Sequence, residues 1–285
     1  MTPASGYDNV TRLESNHSRP FQPRKAMQEE PEYYDNFIAL LEVIWGEGYL
    51  SPGGPGEVAR ILDGIELTGK KVLDIGCGTG GITLALARDF GAATVTGLDV
   101  EEPVLNVARQ RADEAGLGEQ VGFIRVSPGE WPFDDDEFDC IFSKDAMIHI
   151  ADKETLFGEV FRMLRPGGWF VASDWLSSHD GEPSETMRDY LVAEGLDFGL
   201  GSPDRYRASM TAAGFTEIGL ENRNEWYRET ARRELADLQG PLYERAIAVA
   251  GKAETERNIE IWRNMIPALD TGELCPHLMR GRKPV

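Results

Sequence analysis

One glycine-rich stretch decides the fold of this chain: Val72-Leu73-Asp74-Ile75-Gly76-Cys77-Gly78-Thr79-Gly80-Gly81. A short apolar run stops at Gly76, and the glycines that follow permit a tight turn from a strand into a helix. In such a turn the backbone comes close to a ligand, and the first N–H groups of the helix point towards it. The stretch therefore predicts a strand, a ligand-binding loop and a helix.

Strand and helix signals alternate on both sides of this loop. Predicted strands cover residues 71–75, 93–98, 121–126, 138–142, 169–173, 216–220 and 277–282, and predicted helices between the early strands cover 82–90, 104–115 and 153–164. Repeated strand–helix–strand units imply a doubly wound, mostly parallel sheet with helices on both faces. The expected architecture is a Rossmann-like α/β fold with a seven-stranded sheet.

The helical segments outside this alternation predict a lid. Residues 1–25 are polar and lack a hydrophobic period, which is typical of a flexible tail, and residues 26–285 are expected to form a single domain. Its core is expected at about 66–175, its lid elements at about 30–63 and 176–213, and its C-terminal helices and last strand at 214–285. N-terminal helices and a helical insertion would lie over the carboxyl ends of the strands, where such folds bind ligands.

Charge and cysteine content exclude several classes of partner and compartment. The chain has 29 basic and 49 acidic residues, a net charge of −20, which repels nucleic acid and anionic membrane surfaces. Its three cysteines form no CxxC pair and favour a reducing, cytoplasmic compartment. The sequence contains neither a membrane-spanning apolar run nor a secretory signal. It also lacks a histidine and carboxylate cluster typical of a metal site.

The glycine pattern alone leaves two cofactors open. Gly76, Gly78 and Gly81 satisfy GxGxxG, the dinucleotide fingerprint, so an NAD-dependent oxidoreductase is one hypothesis. A carboxylate at Asp74, two residues before the first glycine, disfavours a pyrophosphate and suits the ammonium and sulfonium groups of S-adenosylmethionine. Asp99, at the end of the second strand, is placed to accept ribose hydroxyls in either case.

The glycine stretch resembles motif I of class I S-adenosylmethionine-dependent methyltransferases, and the alternation over about 71–173 is similar to their core. The resemblance implies S-adenosylmethionine as methyl donor and S-adenosylhomocysteine as product. It implies that the glycine loop holds the methionine portion, Asp99 the ribose and the loop after the third strand the adenine. The residues expected to bind the cofactor are Leu50, Ser51, Asp74, Gly76, Gly78, Gly80, Asp99, Val100, Ser127, Pro128 and Lys144.

Two further stretches, residues 41–54 and 142–150, resemble phosphoethanolamine N-methyltransferases, a similarity that covers roughly 33–174. That resemblance implies a catalytic dyad of Tyr33 and His149, supported by Asp35 and Asp145. The chemistry suits these residue types, because an amine attacks a methyl group only with a free lone pair and is protonated at neutral pH. A histidine, with an ordinary pKa near 6.5, is suited to take the proton from the amine. A tyrosine can form a hydrogen bond with the amine or relay the proton.

Beyond the fifth strand the pattern departs from the phosphobase enzymes. Trp175, Tyr190 and Glu194 are the candidate substrate-binding residues, and Glu194 stands where that family has an arginine. An acid in that place would repel a phosphate dianion. Residues 196–202 and 280–284 are similar to sarcosine and dimethylglycine methyltransferases, and Trp175 is suited to face a methylated ammonium.

The sequence therefore predicts a cytoplasmic S-adenosylmethionine-dependent N-methyltransferase that acts on a small amine or amino acid, as a monomer or homodimer. Transfer to oxygen, sulfur or carbon stays open, because motif I reports the donor and says little about the acceptor. An NAD-dependent oxidoreductase and a non-catalytic adenosylmethionine-binding module are the hypotheses from other classes. Neither the acceptor nor the number of methyl groups transferred follows from the sequence.

Overall fold

The computed structural model describes residues 34–195 and 198–285. In it, a seven-stranded sheet has the order β3-β2-β1-β4-β5-β7-β6. The strands are β1 (Lys71–Ile75), β2 (Thr94–Asp99), β3 (Val121–Arg125), β4 (Phe138–Lys144), β5 (Leu164–Asp174), β6 (Thr216–Asn222) and β7 (His277–Arg282). Strand β7 runs antiparallel to both of its neighbours, and the other pairs are parallel. The predicted Rossmann-like, mostly parallel sheet is confirmed.

Helices flank this sheet on both faces, as predicted. They are α1 (Asp35–Trp45), α2 (Gly54–Ile61), α3 (Gly81–Arg88), α4 (Glu102–Glu114), α5 (Lys153–Met163), α6 (Glu185–Glu194), α7 (Pro203–Ala213), α8 (Asn224–Leu238), α9 (Tyr243–Ala250) and α10 (Lys252–Thr271), with a short 3₁₀ helix at Met147–His149. Among the described residues, no helix combines the length and apolar character needed to cross a bilayer.

One boundary differs from the sequence expectation. Strand β5 begins at Leu164, ahead of the Pro-Gly-Gly sequence that predicts a break before Trp169. Leu164 pairs with Phe138, and the register then shifts before Cys140 pairs with Trp169. The glycines are therefore accommodated as an irregularity inside the strand pair, and the strand continues past them.

The parallel register brings three chain segments together at one edge of the sheet. Ile75, near the end of β1, pairs with Ser143 of β4, and Lys144 of β4 pairs with Ser173 of β5. The glycine loop after β1 and the 3₁₀ helix after β4 therefore leave the sheet side by side, next to the end of β5. The carboxyl edge of a doubly wound sheet is where ligands bind in such folds.

The buried apolar side chains of the described residues form three clusters. One cluster lies between the sheet and helices α5 and α7, and a second lies between the sheet and helices α2, α3 and α4. The third joins α1, α6, α8, α9 and α10, with buried Leu40, Tyr190, Tyr227 and Trp262 among its members. The last cluster unites the N-terminal helix with the predicted insertion and the C-terminal helices. That these helices act as a lid stays a prediction, as do the domain boundaries, and the tail 1–25 lies outside the described residues.

Close contact between two glycines fixes where the α1–α2 connection meets the loop. A Cβ added to Gly81, the first residue of α3, would lie 2.3 Å from the carbonyl oxygen of Gly48. Gly48 itself has a φ of +83°. The segment that leads to Leu50 and Ser51 therefore lies against the start of α3, with no room for a side chain between them.

We expect Gly81→Ala to lower the free energy of unfolding by about 1–3 kcal/mol, because overpacking against a backbone carbonyl forces the chain to shift. Gly158→Ala is the matched control: Gly158 lies inside α5 with nothing within 4 Å of an added Cβ. There the higher helix propensity of alanine should raise stability by about 0.5–1 kcal/mol. Urea unfolding measures the change in unfolding free energy of both variants. Changes of equal size and sign would contradict the close packing of Gly48 against Gly81.

Candidate active site

A cavity of about 440 Å³ lies at the carboxyl edge of the sheet. The glycine loop, the ends of β2, β3 and β4 and the 3₁₀ helix form its wall. Nine of the predicted cofactor residues line it: Leu50, Ser51, Gly76, Gly78, Asp99, Val100, Ser127, Pro128 and Lys144. The structure thus collects residues from five separate parts of the sequence on one surface, which fits a single elongated ligand.

The loop glycines allow this surface to exist. Gly76 has a φ of +71°, and a Cβ there would lie 2.1 Å from the Cβ of Ala146. Gly78 has a φ of +51°, and its Cβ would lie 3.0 Å from Cδ1 of Leu50. Both positions lie in the left-handed region that favours glycine, and both face neighbours that leave no space for a side chain. The backbone of the loop is therefore itself part of the cavity wall.

Asp99 closes the end of β2 and ties it to the loop. Its carboxylate accepts hydrogen bonds from the backbone N–H of Gly78 (2.9 Å) and of Glu101 (3.0 Å). Burial raises the pKa of this carboxyl, and these backbone donors oppose that rise. A carboxylate has about four acceptor sites, so both oxygens retain capacity for ligand hydroxyls. The geometry suits recognition of a ribose diol.

Two predicted cofactor residues lie off the cavity wall. Asp74 is only 2% exposed, and its carboxylate accepts a hydrogen bond from Thr83 Oγ1 at 2.7 Å. Burial raises the pKa of Asp74 to about 7. Gly80 precedes α3, and a Cβ there would lie 2.8 Å from the Cβ of Ala108 on α4. Asp74 therefore points from β1 towards α3, and Gly80 packs against α4.

An ion pair that the sequence analysis missed joins α1 to the glycine loop. The Glu42 carboxylate accepts hydrogen bonds from the Gly48 N–H (3.0 Å) and from Arg111 Nη2 (2.9 Å). Arg111, on α4, also donates from Nη1 to the carbonyl of Thr79 at 3.2 Å. These contacts hold the segment that carries Leu50 and Ser51 against the loop. Sixty-nine residues separate the two ionic partners, so no local pattern indicates the pair.

A second, smaller cavity of about 100 Å³ lies beside the first. All three predicted substrate-binding residues, Trp175, Tyr190 and Glu194, line it, together with residues of α1, α6 and α10. The sequence analysis missed most of its aromatic wall, which comprises Phe37, Trp45, Phe198 and Trp262 in addition to Trp175 and Tyr190. We call the larger space the donor cavity and the smaller space the acceptor cavity.

The two cavities share four wall residues, which are Leu50, Ser51, Asp145 and His149. Asp145 has a φ of +57°, unusual for a residue with a side chain. Its carboxylate accepts hydrogen bonds from Lys144 Nζ (2.6 Å) and Ser173 Oγ (2.8 Å), and the Tyr227 hydroxyl lies 3.5 Å away. The charged Lys144 and Asp145 side chains are 1% and 2% exposed. A buried, fully bonded pair of this kind fixes the position of the carboxylate at the junction.

His149 reaches the same junction from the end of the 3₁₀ helix. Its ring packs edge-on against Phe198, with centroids 5.5 Å apart. Burial and the positive charge of Lys153 both lower the pKa of this histidine, so its ring is neutral at pH 7. His149 keeps exposed surface at the junction, and a neutral imidazole that a ligand can reach is suited to accept a proton.

Two buried charged side chains, Lys153 and Asp174, support the segment that carries His149. Lys153 Nζ donates hydrogen bonds to the carbonyls of Met147 (2.7 Å) and Ile150 (2.6 Å). The carboxylate of Asp174 accepts from the N–H of Ile148 at 3.0 Å. Both charged groups are fully buried, and the cation holds down the pKa of Asp174, which burial raises. The sequence analysis missed the roles of Lys153 and Asp174, since a lysine at a helix start usually faces solvent.

The remaining predicted residues are placed as follows. Tyr33 lies outside the described residues. Asp35 is the exposed first residue of α1 and lies on neither cavity wall; an acid there complements the helix dipole. Within residues 34–195 and 198–285, no cluster of histidine, cysteine or acidic side chains is placed to hold a metal ion.

Comparison with known sequences matches the central part of the chain, which contains the glycine loop, to a family. Residues 72–168 match the family model of a methyltransferase domain. A phosphoethanolamine N-methyltransferase of Triticum aestivum is 29% identical over 95% of this chain and 52% of its own length. Phosphoethanolamine N-methyltransferase 1 of Arabidopsis thaliana is 32% identical over 79% of this chain and 44% of its own length. The chain therefore spans about half the length of these curated relatives.

Solved structures agree with this match. Phosphoethanolamine N-methyltransferase 2 of Haemonchus contortus, in complex with phosphomonomethylethanolamine and S-adenosylhomocysteine, is similar with a TM-score of 0.82 and 27% identity, over 89% of this chain and 59% of that one. A putative sarcosine dimethylglycine methyltransferase of Galdieria sulphuraria has a TM-score of 0.75 and 22% identity, over 88% and 99% of the two chains. At that identity the second likeness shows a shared fold.

The buried Asp74 predicts a pH-dependent stability. Because its pKa is about 7 in the folded chain and near 3.8 ordinarily, the folded state holds the proton more tightly. The contribution of Asp74 to the free energy of unfolding is then largest at low pH and is lost as the pH rises through about 7. Asp74→Asn stays neutral and keeps an acceptor for Thr83. We expect its stability relative to the parent to rise between pH 4 and 8, by at most a few kcal/mol.

Chemical unfolding of both proteins across that pH range measures the effect. Asp237→Asn, a change at a partly exposed position on α8, controls for the loss of one acidic group. A stability difference between Asp74→Asn and the parent that does not change with pH would contradict a raised pKa.

Proposed function

We propose that the chain is a class I S-adenosylmethionine-dependent methyltransferase and that it methylates the nitrogen of a small amine. The observation that carries the proposal is the shared wall: a large cavity with the features of a nucleoside site meets a small aromatic cavity at Asp145 and His149. A donor in one and an acceptor in the other would face each other across that junction. Holding two reactants in line is itself a large part of catalysis.

The donor cavity suits S-adenosylmethionine. Its glycine wall lets the backbone approach the ligand, and Asp99 is placed for the ribose hydroxyls. Residues 126–131 form the part of the wall next to Asp99 and are the proposed adenine site, with Ser127 and Pro128 as contacts. When bound, S-adenosylmethionine supplies an electrophilic methyl group on a sulfonium. The junction residues Leu50 and Ser51 are the proposed neighbours of that group.

The residues at the junction favour an amine as acceptor. The Asp145 carboxylate provides a negative charge for an ammonium, and its hydrogen bonds to Lys144 and Ser173 hold it in one place. The neutral imidazole of His149 is suited to take the ammonium proton and free the lone pair. Tyr33 is the proposed second member of the dyad, binding or relaying the same proton. The roles of Asp145 and His149 rest on the geometry at the junction and on the resemblance described above, and that of Tyr33 rests on the resemblance alone.

Several finer statements stay predictions. Direct contacts of Asp74 and Gly80 with the cofactor and a catalytic contribution of Asp35 have no support from their placement off the cavity walls. A cytoplasmic location and the absence of nucleic-acid and membrane partners stay predictions from the charge, the cysteine content and the lack of a long apolar run. A monomeric or homodimeric state stays a prediction as well.

The donor is tested by titration calorimetry of the whole chain with S-adenosylmethionine, S-adenosylhomocysteine and NAD. We expect binding of the two adenosyl sulfur compounds and none of NAD at the same concentrations. Preferential binding of NAD would contradict the proposal and restore the oxidoreductase hypothesis.

His149→Ala and Tyr33→Phe are expected to lower kcat by about 10²–10⁴, because each removes a group that moves the amine proton. Affinity for S-adenosylhomocysteine should stay within about threefold of the parent, since neither change alters the glycine loop or Asp99. His179→Ala, a change at an exposed histidine, is the control for the loss of an imidazole. Formation of S-adenosylhomocysteine, followed with an amine panel, measures turnover; unchanged kcat in both variants would remove the dyad.

Lys153→Met tests the electrostatic support of His149. The positive charge of Lys153 is one of the two causes that lower the pKa of His149, so its removal should raise the pKa of the histidine. The acid limb of the kcat/KM profile should then move to higher pH. Lys252→Met, an exposed change at the start of α10, should leave the limb in place. An acid limb that moves to lower pH or stays fixed in Lys153→Met would show that Lys153 does not act on the catalytic proton.

A further inference from the structure

The acceptor cavity has a wall of unusual composition. Six aromatic side chains line it, and its acidic residues are Asp145 and Glu194. Among the described residues, neither lysine nor arginine is part of this wall. Arg257 lies on α10 next to the cavity residue Asn258, but its guanidinium donates to the carbonyl of Glu194 (2.8 Å) and to the Glu254 carboxylate (3.2 Å).

The aromatic rings are held in fixed orientations. One buried carboxylate, Glu234, accepts the indole N–H of Trp45 at 2.8 Å and that of Trp262 at 3.1 Å. The two indole rings lie 5.8 Å apart and tilted to each other. On the other side, Trp175 packs edge-on against Tyr227, with centroids 4.7 Å apart. These contacts hold the rings in place at the cavity wall.

Such a wall recognises a particular kind of charge. Aromatic faces attract ammonium groups, and methyl groups on the nitrogen bury well against them, whereas each N–H needs an acceptor. A phosphate dianion needs cationic donors to replace its hydration. At this wall it would instead meet the carboxylate of Asp145, which is already paired with Lys144, and the acidic side chain of Glu194, which stands where the resembled family has an arginine.

We propose that the acceptor of this chain is a small, already methylated amine that carries no phosphate group. The inference rests on the proposed methyl transfer and specifies its substrate class. It separates this chain from relatives whose names and ligands contain phosphoethanolamine. The small volume of the cavity, about 100 Å³, agrees with an ammonium that bears methyl groups and one short chain.

Matched pairs of amines test the preference. Dimethylethanolamine and phosphodimethylethanolamine are compared as acceptors at saturating S-adenosylmethionine, with ethanolamine and phosphoethanolamine as the unmethylated pair. We expect kcat/KM for dimethylethanolamine to exceed that of its phosphorylated partner by about tenfold or more, and that of ethanolamine by a similar factor. A ratio of one or less in either comparison overturns the inference while methyl transfer stands. Absence of transfer to every amine, with S-adenosylmethionine bound, contradicts the proposed function itself.

A charge reversal in the wall tests the residue that carries the argument. Glu194→Arg should raise kcat/KM for phosphodimethylethanolamine relative to dimethylethanolamine by about tenfold or more, because it supplies a cation for the phosphate. Glu185→Arg makes the same change at an exposed position on the same helix and should leave the ratio at the parent value. An unchanged ratio in Glu194→Arg, in a variant that still binds S-adenosylhomocysteine, would show that this position does not face the acceptor.

Discussion

The buried ion pair of Lys144 and Asp145 is the contact on which the rest of the site depends. It lies at the carboxyl end of β4, where the chain turns through a left-handed residue and enters the 3₁₀ helix. Lys144 also binds Ser51 at 2.7 Å, and Ser173 of β5 donates to the same aspartate. The ion pair therefore connects three separate parts of the chain, namely the end of β4, the end of β5 and the segment that carries Ser51. Burying it is expensive unless every partner is in place, which makes the arrangement specific.

Other buried ionisable groups lie near this ion pair. Their burial lowers the stability of the fold, and their hydrogen bonds fix the positions of neighbouring groups. Lys153 and Asp174 fix the backbone on both sides of His149, and Glu234 fixes two tryptophan rings. Burial raises the pKa of Glu234 to about 7, so its ionised form is held against a desolvation penalty. Functional sites commonly contain such perturbed groups, because fixed charges and rings recognise a ligand without reorganising. The chain concentrates these groups around the acceptor cavity.

Local sequence signals were sufficient for the fold and for most of the donor cavity. The glycine stretch and the alternation of short apolar runs with amphipathic helices follow from backbone geometry and periodicity, and both are confirmed. The missed features are long-range. Glu42 pairs with Arg111 across 69 residues, and Glu234 binds Trp45 across 189. No periodicity encodes such pairs. Asp74 shows the converse: its motif position is evident, but the direction of its side chain follows from strand pleating against α3.

A crystal structure of the chain with S-adenosylhomocysteine and dimethylethanolamine measures the central claim most directly, namely that the donor and acceptor cavities face each other at Asp145 and His149. The account predicts the thioether sulfur at this shared wall, the ribose hydroxyls on Asp99 and the amine nitrogen within the aromatic wall, opposite the sulfur. A nucleoside bound in the reverse direction, with its sulfur remote from Asp145, or an amine bound elsewhere on the chain, would contradict it.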